Sequence, residues 1–96
     1  MYVLVTYDVA TSDIGGDRRL RRVAKVCMQY GQRVQNSVFE CSVDPARFEM
    51  MKHELMDRID PEKDSLRFYH LGKGWRSKVE HIGVKPSYDP EGFLCV

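Results

Sequence analysis

The stretch at residues 2–8, YVLVTYD, limits the fold more than any other part of the chain. It is continuously apolar or β-prone and ends in an acid. A run of that kind reads as a central strand buried on both faces. The loop that follows, residues 9–16 (VATSDIGG), is rich in turn formers and carries Gly15 and Gly16. With 96 residues in all, the chain has room for one small core and one domain.

A helix is predicted from about residue 17 to residue 30, with Asp17 as N-cap and Gly31 as the stop. Leu20, Val23, Ala24 and Cys27 repeat at i, i+3, i+4 and i+7 and form its inner stripe. Arg18, Arg21, Arg22 and Lys25 fall on the wet side. Residues 33–43 (RVQNSVFECSV) are β-rich, and read as one long strand or as two broken near Asn36 and Ser37. Asp44-Pro45 is a helix start, an N-cap acid followed by proline at the first helical position. The second helix runs to about residue 59, with Phe48, Met51, Leu55 and Ile59 facing inward. Asp60-Pro61 ends it. Strands are predicted over 66–71 and 78–84. Residues 86–90 (PSYDP) read as a stiff linker, and 93–96 as an apolar tail able to add a strand. The resulting order, β-α-β(β)-α-β-β, predicts an α+β sandwich of ferredoxin-like type, helices on one side of an antiparallel sheet.

Charge distribution is more informative than net charge, which is only +1. Residues 17–33 hold six basic side chains against one acid, whereas residues 44–64 hold seven acids against four bases. Four arginines within residues 18–22 are suited to phosphate, because a guanidinium fork matches its oxygens. No apolar run approaches the roughly 20 residues of a membrane span. The three cysteines form no CxxC pair, which excludes a disulfide framework or structural zinc site as an expectation. Free cysteines and the absence of an export signal point to a reducing cytoplasm.

Asp8 is the residue most suggestive of chemistry. It closes an apolar strand and opens a glycine-containing loop, which by composition alone reads first as a turn or cap aspartate and second as a hard-cation ligand. Mg²⁺ takes one or two carboxylates, with water and phosphate oxygens completing its shell. A two-fold dimer would present the same aspartate twice. Tyr7 and Phe39 read most simply as core or interface aromatics, and Ser37 as a strand hydroxyl without a partner for triad chemistry. His53, His70 and His81 show no ligand spacing. P-loop, GxGxxG and RNP signatures are absent, so nucleotide binding has no motif behind it.

Taken together, VTYDV, RRLRRVAKVCMQYG and QRVQNSVFECSV resemble the CRISPR-associated Cas-two family. DPEKDSLRFYHLG and the ending GVKPSYDPEG extend the likeness over essentially the whole chain, particularly toward the branch that accompanies subtype I-C systems. The resemblance implies a β-α-β-β-α-β core, with residues 33–43 split into two strands. It implies a homodimer with stacked sheets, whose C-terminal strand joins the neighbour, and Mg²⁺ held between two copies of Asp8. It further implies a metal-dependent endonuclease on RNA or double-stranded DNA, acting beside the Cas-one integrase in spacer acquisition. Tyr7, Asp8 and Ser37 are the expected catalytic positions. Arg18, Arg19, Arg22, Arg33 and Phe39 are the expected nucleic-acid contacts. Two alternatives accompany this reading: a non-catalytic scaffold bridging DNA in the integration complex, and a toxin-type ribonuclease sharing the fold.

Overall fold

The computed structural model describes residues 1–12, 14–71 and 78–84. The expected linker and tail at 85–96, the turn at 72–77 with Trp75, and Cys95 lie outside these residues. The elements are β1 (Tyr2–Asp8), α1 (Gly16–Tyr30), β2 (Gly31–Gln35), β3 (Val38–Ser42), α2 (Pro45–Arg58), β4 (Ser65–Leu71) and β5 (Lys78–Gly83). They build a five-stranded antiparallel sheet in the order β2-β3-β1-β4-β5. The α+β expectation holds, and the stretch 33–43 is two strands joined by a turn at Asn36 and Ser37.

Strand periodicity decides what each face of the sheet carries. Val5 is in register with Phe39 on one side and Phe68 on the other, Val3 with Cys41, and Tyr7 with Leu66. These side chains are buried in one core with Val23, Val26 and Cys27 of α1 and with Phe48, Met51 and Leu55 of α2. Phe48 meets Phe68 edge-on at 5.4 Å between ring centres. The inward stripe assigned to α2 holds in full, Ile59 included, and Asp44 caps that helix by accepting the Arg47 N–H at 2.8 Å.

The other residues of the same strands, Tyr2, Leu4, Thr6 and Asp8, point to the opposite face. Among the described residues β1 is therefore buried on one side only, where its unbroken apolar run suggested both. Tyr2, Leu71 and Val79 on this second face are 52%, 43% and 43% exposed. Helices cover one side of the sheet and nothing in the chain's described residues covers the other.

Entry into α1 also differs from expectation. Its cap is Gly15, in the left-handed region at φ 92°, and no side chain caps the helix. The Gly15 carbonyl accepts the Arg19 N–H at 3.0 Å. Asp17 sits instead in the first turn, where an acid suits the positive end of the helix dipole. Gly16 lies so close to Ala10 and Thr11 that a β-carbon there would overlap their backbone. The two glycines thus fold the loop after Asp8 tightly back onto the helix start.

Candidate nucleic-acid site

Asp8 stands at the last position of β1, exposed, beside Ser65 of β4. Its carboxylate makes no hydrogen bond or ion pair with the described residues. Next to it, the β2–β3 turn is stitched to the strand end: the Tyr7 N–H donates to the Ser37 carbonyl at 3.2 Å. Ser37 is consequently close to the end of β1, as its assignment to the site requires.

Tyr7 is adjacent to Asp8 in sequence and points the other way. Its ring is buried, lies 6.0 Å from that of Phe39, and its hydroxyl donates to the Asn36 carbonyl at 3.3 Å. Burial raises the phenol's pKa, as does neighbouring Cys27, while the Arg33 guanidinium works against them. The phenol keeps its proton at neutral pH and clamps the Asn36–Ser37 turn from the core side. The two thiols of the core are equally quiet, since burial lifts Cys27 to about 12 and Cys41 to about 11.

Two of the expected nucleic-acid contacts need correction. Phe39 is 0% exposed, so its ring cannot stack on a base. It serves as the floor beneath Arg33, whose guanidinium carbon lies 5.2 Å from the ring centre. Arg33 itself is exposed on β2. Arg19 leaves the basic surface altogether. It is held by Asp64, with Nε donating to Oδ2 at 2.7 Å and Nη2 to Oδ1 at 3.2 Å, and Nη2 also donates to the Ala10 carbonyl at 3.2 Å.

Asp64 is the organising group that the sequence did not disclose. It is 0% exposed and also accepts the backbone N–H groups of Ala10 at 3.0 Å and Asp60 at 2.8 Å. Burial alone would raise its pKa, but the Arg19 hydrogen bonds and the two backbone donors hold it below the usual carboxylate range. One carboxylate therefore ties together the loop after Asp8, the first turn of α1 and the turn before β4. Arg18 and Arg22 remain exposed, with Arg21 and Lys25, along one side of α1.

Among the described residues no three His, Cys, Asp or Glu side chains of one chain gather to hold a metal. Asp8 by itself offers a single carboxylate, half of what a shared two-fold site would have. No helix of the described residues is long and apolar enough to cross a membrane.

Fold and site together define a class: a small α+β protein with a helical layer on one side, an open apolar sheet face on the other, and a lone acid ending the central strand. The sequence model described as CRISPR associated protein Cas2 matches residues 1–79. The CRISPR-associated endoribonuclease Cas2 of Nitratidesulfovibrio vulgaris is 64% identical over 96 residues, covering 100% of this chain and 94% of that protein. The CRISPR-associated endonuclease Cas2 of Halalkalibacterium halodurans is 63% identical over 94 residues, covering 98% of each. The crystal structure of Streptococcus pyogenes Cas2 at pH 6.5 superposes with a TM-score of 0.70 at 64% identity, over 78% of this chain and 90% of that one. The chain belongs to the Cas2 family.

Proposed function

We propose that the protein is a CRISPR-associated endonuclease that cleaves phosphodiester bonds as a homodimer, with a ferredoxin-like fold in each protomer. The observation carrying this reading is the position of Asp8, exposed and unpaired at the end of an open, partly apolar sheet face. Stacking two such faces about a two-fold axis covers Tyr2, Leu71 and Val79. It also gives an unbroken apolar β1 the second buried side that the described residues leave open. The same stacking brings the ends of two β1 strands, and so two Asp8 carboxylates, to one axis. The names of the relatives, endoribonuclease and endonuclease, agree with this activity.

The donor set fits Mg²⁺, which takes few protein carboxylates and fills its shell with water and phosphate oxygens. When bound, the ion supplies an activated water and neutralises charge on the phosphate. The chain's own contribution is positional. Asp64 and Arg19 fix the loop leaving Asp8, and Tyr7 and Asn36 fix the turn that sets Ser37 beside the strand end. Arg18, Arg22 and Arg33 supply exposed cations for the sugar-phosphate backbone. Such contacts carry no base information, so cleavage is expected to show little sequence preference on RNA or duplex DNA.

Partnership with the Cas-one integrase in spacer acquisition, and affinity with the subtype I-C branch through the GVKPSYDPEG ending, belong to the same proposal. Family membership favours it over the toxin-type ribonuclease. A second reading, a bridging scaffold without cleavage, draws on the single carboxylate that each chain provides. The two separate in one assay with purified protein on RNA and duplex DNA, with Mg²⁺ and with chelator. Chelator-sensitive cutting of either substrate supports the endonuclease. Binding without cutting supports the scaffold.

A further inference from the structure

Three strands of the sheet end in one row beside the site. Asp8 of β1 stands opposite Ser65 of β4, and Ser65 stands opposite Gly83 of β5. Past that row the strand registers stop, and other bonds must hold the chain. One residue supplies them on both sides. The Asp64 carboxylate accepts the Ala10 N–H at 3.0 Å, and the Asp64 carbonyl accepts the Val84 N–H at 2.9 Å. Each captured residue is held at its other end as well. The Ala10 carbonyl accepts from Arg19 Nη2 at 3.2 Å, and the Val84 carbonyl accepts from His81 Nε2 at 2.8 Å. Asp64 has little room to turn, because its own N–H donates to the Asp60 carbonyl at 2.7 Å and its carboxylate accepts the Asp60 N–H at 2.8 Å. It thus adds one more row, Ala10–Asp64–Val84, made by a side chain on one side and by backbone on the other. The approach of β5 is close. Gly83 has φ 101°, in the left-handed region, and a β-carbon there would lie 2.0 Å from the Asp64 carbonyl oxygen. A glycine is what lets β5 end against Asp64.

We propose that Gly83 and Val84, at the end of β5, are positioning residues for the Asp8 metal site and act on it through Asp64. The inference rests on the reading of Asp8 as a Mg²⁺ ligand and extends it to a part of the chain that does not touch the ligand. A carboxylate ligand without a hydrogen-bond partner of its own is aimed by the backbone that carries it. Strand pairing fixes that backbone as far as Asp8, and Ala10, two residues on, is the next fixed point. A shift at the end of β5 moves Asp64, Asp64 moves Ala10, and Ala10 re-aims Asp8. In a two-fold dimer both Asp8 carboxylates would be re-aimed at once. The route does not pass through the core, since Val84 is 41% exposed and Gly83 has no side chain to pack.

The test titrates the full chain with Mn²⁺, a paramagnetic stand-in for Mg²⁺, and reads the free ion by electron paramagnetic resonance. Cleavage is followed in parallel across a Mg²⁺ series. Removing a group that orients a metal ligand lowers metal affinity by about 10–100-fold, so Asp64→Asn should fall in that range and Gly83→Ala near its lower end. The double variant should bind Mn²⁺ no more weakly than Asp64→Asn alone, because Gly83 acts through the carboxylate. Cleavage by Gly83→Ala should need more Mg²⁺ to reach half its maximal rate and should recover most of that maximum at saturation. A role in stability alone would lower the maximum and leave the midpoint in place. Hydrogen exchange without metal gives a second readout: the Ala10 amide should exchange faster in Gly83→Ala, and the Phe68 amide in the middle of β4 should not. If Gly83→Ala does not fold, Val84→Pro deletes the N–H that Asp64 accepts and is read in the same way. Unchanged Mn²⁺ affinity in the folded variant, when the parent's affinity depends on Asp8, overturns the proposal and leaves the Asp8 reading standing. A loss in the double variant equal to the product of the two single losses contradicts the route through Asp64. Mn²⁺ binding that is the same in the parent and in Asp8→Asn defeats both.

Discussion

The two faces of the sheet share the same strands and have opposite fates. On the helical face Val3, Val5, Phe39, Cys41, Leu66 and Phe68 are fully enclosed. On the open face the intervening residues are half covered or exposed, although Tyr2, Leu4, Val38, Tyr69, Leu71 and Val79 are as apolar as their neighbours. Polar groups on that face already serve each other, with Arg67 donating from Nε to His81 Nδ1 at 3.3 Å and from Nη1 to the Tyr69 hydroxyl at 3.4 Å. One face is where the chain stores its stability. The other is left open by the described residues, and Asp8 stands at its end.

Substitutions should divide along the same line. The largest loss belongs to the covered face: Phe68→Ala should cost about 3–5 kcal/mol, since it empties a packed site against Phe48. Thermal or denaturant unfolding measures it, and a cost near zero would mean that the helical layer is loosely packed. Asp64→Asn should cost about 3 kcal/mol, because it removes the buried charge that accepts from Arg19 and from the Ala10 and Asp60 N–H groups. This loss depends on pH. The Asp64 carboxyl is lowered in the folded state, so its contribution is complete above the ordinary carboxylate range and fades as pH falls through the folded value. The stabilities of Asp64→Asn and the unmodified protein should therefore converge in acid, and a constant gap would sink the ion-pair account.

The smallest effect on the protomer's own stability, within about 0.5 kcal/mol, is expected for Leu4→Lys in the middle of the open face. Its consequence lies in association. The unmodified protein should melt at a temperature that rises with protein concentration, whereas the variant's midpoint should not move. If the variant still associates, the sheets do not stack through this face.

Most of the scaffold was legible because it is local. The i, i+3, i+4 stripe of α2, the Asp44-Pro45 start and the Gly31 stop each state their structure within a few residues. Alternation bears out the core reading of Tyr7 and Phe39 over their expected roles in the site: in VFECSV, Phe39, Cys41 and Val43 share a face, which buries the ring, and Tyr7 cannot share a face with Asp8. Helical phase was also available, for Arg19 falls in step with Val23 and Val26 rather than with Arg18, Arg21, Arg22 and Lys25. Asp64 is a different matter. Arg19 and Ala10, two of its three partners, lie 45 and 54 residues away, and no local pattern announces a buried acid in the charged turn PEKDS. The open face departs from the sequence reading because strand composition reports apolarity and does not say what packs against each side.

In the proposed mechanism Asp8 acts in cleavage and not in folding. Purified Asp8→Asn should be compared with the unmodified protein for Mg²⁺-dependent cleavage of RNA and duplex DNA, together with its thermal midpoint. The account predicts a rate lower by about two orders of magnitude or more, an unchanged midpoint and retained nucleic-acid affinity. Cleavage that persists in Asp8→Asn, or that ignores chelator, would contradict it.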